Sequence, residues 1–108
     1  MHKTLIVARL DPADTGRVAE LFAESDRSEL PKLVGVSGRT LFTYHDLYFH
    51  LIESEGALGS GLRRVSAHPL FVDIGTKLSS YVRPYDPNWR EPKDAMAHPF
   101  YQWCDEST

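Results

Sequence analysis

Residues 39–53 read RTLFTYHDLYFHLIE. Aromatic and aliphatic residues fill nearly every position except His45-Asp46, the pattern of two antiparallel strands joined by a tight turn. With the turn at 45–46, Tyr44 faces Leu47, Phe42 faces Phe49 and Leu41 faces His50. Side-chain alternation then gives the hairpin two unlike faces. One carries Thr40, Phe42, Tyr44, Leu47, Phe49 and Leu51, a hydrophobic sheet surface. The other carries Arg39, Leu41, Thr43, Tyr48, His50 and Ile52, which is apolar with polar islands, as the lining of a cavity is. Arg39 and His50 are diagonal neighbours on that face, roughly 7–8 Å apart at the backbone. The register follows from the turn, and a slip of one residue would exchange the faces.

Outward from the hairpin, residues 3–10 form an expected first strand. Leu5, Ile6 and Val7 run consecutively, which suggests burial on both faces. A helix follows: Asp11 is a natural N-cap, Pro12 suits the first helical position and Asp14 favours the positive end. Val18, Leu21, Phe22 and Ser25 continue one stripe, turned toward the sheet. Pro31 is read as the end of this segment. Residues 56–82 read as a helical segment, loosened at its start by three glycines and interrupted at Pro69, with His68 at the break. A last strand is expected over 80–85, and then a proline- and aromatic-rich arm over 87–108, packed on the domain or on a partner. The β-α-β-β-α-β order is the ferredoxin-like arrangement, an α+β fold with a four-stranded antiparallel sheet. Such a sheet, covered by helices on one face and hydrophobic on the other, calls for a second subunit.

The 108 residues suit a single domain, with a core over about 3–86. The net charge of −3 is spread along the chain, and basic residues form no run beyond Arg63-Arg64, which argues against nucleic-acid binding. The short apolar run near the N-terminus is closed by Arg9 and Asp11, too short for a membrane span and without a cleavage signal. The single cysteine, Cys104, excludes an intrachain disulfide framework and fits a cytoplasmic protein. His45 and His50 stand on opposite strand faces and make no metal pair, so no metal site is expected.

The stretches HKTLIVARLDPADTGRVAELFAESDRSELP, RTLFTYHDLYFHLIE, SAHPLF and FYQW, in this order over nearly the whole chain, resemble the aromatic polyketide cyclases of the tetracenomycin cyclase type. The resemblance implies a ferredoxin-like monomer that dimerises sheet to sheet into an α+β barrel. Its interface would be the Phe42/Phe49 face, and its pocket would lie under the Arg39/His50 face. It also implies regiospecific aldol condensation and dehydration of an aromatic polyketide intermediate, in antibiotic or pigment biosynthesis and without a cofactor. Carried over singly, the catalytic positions are His50, Arg39 and Asp26. The residue before Asp26 is often histidine in that family and is Ser25 here, which puts a two-histidine mechanism in doubt. Ser25, Tyr48, Leu41, Thr43, Phe22 and Trp103 are the expected substrate-binding residues. His50, with an ordinary pKa near neutrality, is expected to move protons, and Arg39 to stabilise an enolate. Arg39 has two acidic candidates for a partner, Glu53 and Asp26. The alternatives are a cofactor-independent monooxygenase of the same dimeric barrel class and a non-catalytic binding or chaperone module.

Overall fold

The computed structural model describes residues 2–90 and 92–105. Strand β1 (His2–Leu10) leads through a single 3-10 turn, Pro12–Asp14, into helix α1 (Thr15–Asp26). The Asp11 carboxylate accepts from the Ala13 amide at 3.0 Å and starts that turn, with Pro12 first. A short helix α2 (Leu30–Val34), strands β2 (Val36–Tyr44) and β3 (Leu47–Ser54), helices α3 (Leu58–Val65) and α4 (Pro69–Leu78), strand β4 (Val82–Pro84) and a second 3-10 turn, Pro92–Ala95, complete the order. The sheet runs β2-β3-β1-β4 and every neighbouring pair is antiparallel. This is the expected ferredoxin-like topology.

The hairpin has the expected register. Tyr44 pairs with Leu47, Phe42 with Phe49 and Leu41 with His50. The two-residue turn is closed by His45 in the left-handed region, φ 55°. Along β3, Tyr48, His50, Ile52 and Ser54 are buried while the residues between them are only half-buried. Period-two alternation thus separates a helix-covered face from an outer one. Under the helices, Ala8, Leu10, Val18, Phe22 and Tyr48 form one core cluster. Leu30, Val34, Ile52, Leu58 and Val65 form a second, and Ile6 and Ile74 border both. On the outer face Phe42 and Tyr44 are 52% and 60% exposed. Leu5 and Val7 on β1 are half-buried, so within one chain burial is complete only on the helix side.

Pro31 does not end the first helical segment. Helix α1 stops at Asp26, and Pro31 lies in the first turn of α2, where a missing N–H costs nothing. Gly35, at φ 92°, closes α2 in the left-handed conformation that permits the entry into β2. At the Pro69 break, His68 is the N-cap of α4, its Nδ1 accepting from the Leu70 amide at 3.1 Å. The C-terminal arm returns to its own sheet at Met96 and Ala97. Met96 bridges Ile6, and the Ala97 amide donates to the Leu5 carbonyl at 2.8 Å. Beyond it, Phe100, Tyr101 and Trp103 point into solvent. No helix among the described residues is long and apolar enough to cross a membrane.

Candidate active site

Three elements converge on His50. It stands on the helix side of β3 at 6% exposure, between Tyr48 two residues back and Arg39 on the diagonal of β2. Helix α1 crosses above and supplies Phe22 and, one turn on, Asp26 at its last residue. The Phe22 ring meets the His50 ring edge-on, with centroids 5.0 Å apart. The Arg39 guanidinium lies over the Phe22 ring, 4.7 Å from its centroid.

The polar groups form one continuous chain. Arg39 Nε donates to both Asp26 carboxylate oxygens, at 3.2 and 3.1 Å, and its Nη2 donates to Oδ1 at 2.9 Å. This forked contact holds the guanidinium plane. Arg39 Nη1 then reaches His50 Nε2 at 2.8 Å, and His50 Nδ1 lies 3.1 Å from the Tyr48 hydroxyl. The chain runs from the half-exposed Asp26 inward. Burial, with the Arg39 charge beside it, pushes the His50 pKa down to about 3. Burial also raises the Tyr48 phenol well above its ordinary value, only partly offset by Arg39. At neutral pH both groups are therefore uncharged.

Tyr48 also forms part of a cleft of about 170 Å³ beside this chain. Leu41, Phe42 and Thr43 of β2 share the wall with it, and Leu10, Thr15, Val18 and Ala19 line the other side. The lining is mostly apolar, as small-molecule sites are.

Of the residues expected at a site, Asp26, Arg39, His50, Phe22 and Tyr48 come together, and Leu41 and Thr43 adjoin them in the cleft. Arg39 takes Asp26 as its partner, while Glu53 falls on the opposite side of β3. Two expected residues lie elsewhere. Ser25 sits in a groove between α1 and α4 with Leu21, Ser28, Leu70 and Ile74, and not under the sheet. On α1 the row Val18–Phe22–Asp26 faces β2 and β3, whereas the row Leu21–Ser25, continued by Ser28 just past the end of the helix, is turned toward α4. Trp103 is 71% exposed on the arm, and no part of it lines the cleft. No pattern in the sequence marks Leu10, Thr15 and Ala19 for the cleft, whereas Val18, one helical step of four before Phe22, lies on the sheet-facing stripe.

A ferredoxin-like sheet carries helices on one face, with an apolar cleft beside a buried polar chain, features that small-molecule sites share. Comparison with known proteins then gives the class. The chain matches the polyketide synthesis cyclase family over residues 2–104. It is 49% identical over 104 residues to the polyketide synthase CurG of Streptomyces cyaneus, covering 95% of this chain and 97% of that one. Against the tetracenomycin F2 cyclase of Streptomyces glaucescens it is 44% identical over 102 residues, covering 94% of each. The solved structure of a tetracenomycin F2 cyclase from Streptomyces glaucescens, described as a type-II polyketide cyclase, matches with a TM-score of 0.91 at 43% identity, covering 97% of this chain and 99% of that chain. The chain belongs to the polyketide synthesis cyclase family, as its resemblance implies.

Proposed function

We propose that this protein closes a ring on an aromatic polyketide intermediate by intramolecular aldol condensation followed by loss of water. The observation that carries the reading is the chain Asp26–Arg39–His50–Tyr48, anchored by a cation and ending at Tyr48 in the wall of an apolar cleft. Aldol closure needs an enolate held in place and an acceptor carbonyl polarised. Arg39 supplies a fixed positive charge for both, in a setting where burial strengthens it. Asp26 sets the guanidinium plane. His50 transmits that polarity toward the cleft. Carbons flanked by two carbonyls are already acidic enough to give their proton to solvent base. The alkoxide formed on closure takes a proton in turn, and its oxygen leaves as water with loss of a second proton from carbon. The larger task is therefore to bring one carbon against one carbonyl.

The cleft suits that task. An apolar cavity of about 150 Å³ holds one benzene ring, so a cleft of about 170 Å³ grips roughly one ring of the substrate. Gripping one ring fixes which ring closes next. The relatives named for polyketide synthesis and for tetracenomycin support an aromatic polyketide substrate of antibiotic or pigment biosynthesis. The exposed Phe42 and Tyr44 beside half-buried Phe49 and Leu51 support a homodimer packed through the outer sheet face, and the lone cysteine, Cys104, supports a cytoplasmic protein.

The test is incubation of the purified protein with a partly cyclised aromatic polyketide, in air and without oxygen, followed by mass analysis. Loss of one water faster than in a protein-free control, and equal in both atmospheres, is the expected result. Gain of an oxygen atom only in air would overturn it in favour of a monooxygenase. A rate at the control level would leave a binding module.

A further inference from the structure

We propose that Tyr48 is the group that meets the reacting oxygen of the substrate, and that His50 and Arg39 act through it. The inference rests on the cyclase reading and deepens it. It follows from the direction in which the hydrogen bonds of the chain must run.

Arginine has five N–H donors and no acceptor. At 2.8 Å from Arg39 Nη1, His50 Nε2 must therefore present its lone pair. An N–H at that position would set donor against donor, and an imidazolium would do the same beside a fixed cation. The proton of the neutral ring is thus on Nδ1. That nitrogen lies 3.1 Å from the Tyr48 hydroxyl oxygen, so His50 donates and Tyr48 accepts. The hydroxyl hydrogen of Tyr48 is then directed away from His50. Of the three side chains in this relay, Tyr48 is the one that lines the cleft.

Every bond in the relay points the same way, from the Arg39 cation toward the cleft. A hydrogen-bonded chain of this kind is polarised cooperatively. When negative charge develops on an enolate or alkoxide oxygen in the cleft, the Tyr48 donor meets it, and His50 and Arg39 back it. The arrangement is that of an oxyanion donor built from side chains instead of backbone amides. Tyr48 keeps its proton throughout, in accord with the burial that holds the phenol neutral. His50, with Nε2 occupied and Nδ1 already protonated, has no free lone pair with which to take a proton. It is a positioning residue, and Tyr48 is the catalytic one.

Two measurements test this together. Nitrogen and carbon chemical shifts of the His50 ring in the substrate-free protein at pH 7 should report the neutral form protonated at Nδ1. In steady-state kinetics, Tyr48→Phe should lower kcat by roughly a hundredfold, the usual loss for one oxyanion donor, with KM changed by less than about threefold. His50→Gln can accept from Arg39 and donate to Tyr48, so it should retain roughly tenfold more kcat than His50→Leu, which breaks the relay. A His50 proton on Nε2, wild-type kcat in Tyr48→Phe, or equal loss in His50→Gln and His50→Leu would each overturn the proposal while the wild type still turns over. If the wild type itself shows no turnover, the cyclase reading fails, and the role given to Tyr48 fails with it.

Discussion

Acid should destabilise this protein through His50. The ring's pKa is about 6.5 in an unfolded chain and is pushed down to about 3 in the fold, by burial first and by Arg39 second. Between those values the folded protein binds fewer protons than the unfolded chain, so stability rises with pH and is lost on acidification. At pH 7.5 the contribution is complete. At pH 5, one and a half units below the unfolded value, the loss is about 2 kcal/mol, each unit being worth about 1.4 kcal/mol. By pH 3 it approaches about 5 kcal/mol, comparable with the whole stability of many domains of this size. The assay is urea denaturation at pH 7.5 and pH 5, at one protomer concentration, for the wild type and His50→Gln. Glutamine fills the position without titrating, so other acid effects are shared and cancel. The wild type should lose about 2 kcal/mol more than the variant between the two pH values, a shift of roughly 1 M urea in the difference of midpoints. Equal losses in the two proteins, or a His50 titration by NMR with its midpoint near the ordinary value, would refute the buried, Arg39-capped ring.

Other perturbations follow from the same contacts. Asp26→Asn leaves one acceptor for Arg39 where there were two and removes the charge that fixes it. The expected result is a kcat lower by roughly tenfold in the cyclisation assay, with the fold intact by circular dichroism. Gly61→Ala sets a methyl group against the Val34 backbone carbonyl, where α3 lies on α2. Thermal unfolding should fall by roughly 5–15 °C, the equivalent of about 1–3 kcal/mol of overpacking. If the outer sheet face is the dimer interface proposed above, the wild type should sediment as a dimer in analytical ultracentrifugation, and Phe42→Glu with Phe49→Glu, which places charge on that face, should sediment as a monomer.

The hairpin was legible in the sequence because two signals agree there. Period-two alternation fixes the faces, and the His45-Asp46 turn fixes the register. That agreement alone puts Arg39, Tyr48 and His50 on one face of the hairpin; that the helices cover this face is what the resemblance adds, and the burial of Tyr48 and His50 bears it out. The same parity removes Glu53 as the partner of Arg39, since neighbours along a strand point oppositely. Helix ends were less legible. Proline is a stop signal inside a helix and a start signal in its first turn, and the sequence around Pro31 does not say which. Ser25 shows a second limit. A helix bounded by a sheet on one side and another helix on the other has two inward rows, and one stripe of hydrophobic residues spans both. Trp103 shows a third: aromatic content marks a residue that seeks contact, but which surface it meets is a matter of tertiary placement.

The position of Ser25 bears on how the site works. It precedes Asp26 by one residue, yet a rotation of about 100° along the helix turns it into the groove beside Leu70 and Ile74. Asp26 remains turned toward Arg39. The relay through Arg39, His50 and Tyr48 is therefore complete without a second histidine on α1. A chain of donors that ends in a neutral phenol asks little of any single acid or base. It asks instead that the substrate oxygen arrive at one point in a cleft of one ring's size. On this view the departure at Ser25 leaves the oxyanion end of the site untouched. The burden of selecting which carbon meets which carbonyl then falls on the cleft walls formed by Leu41, Thr43 and Val18.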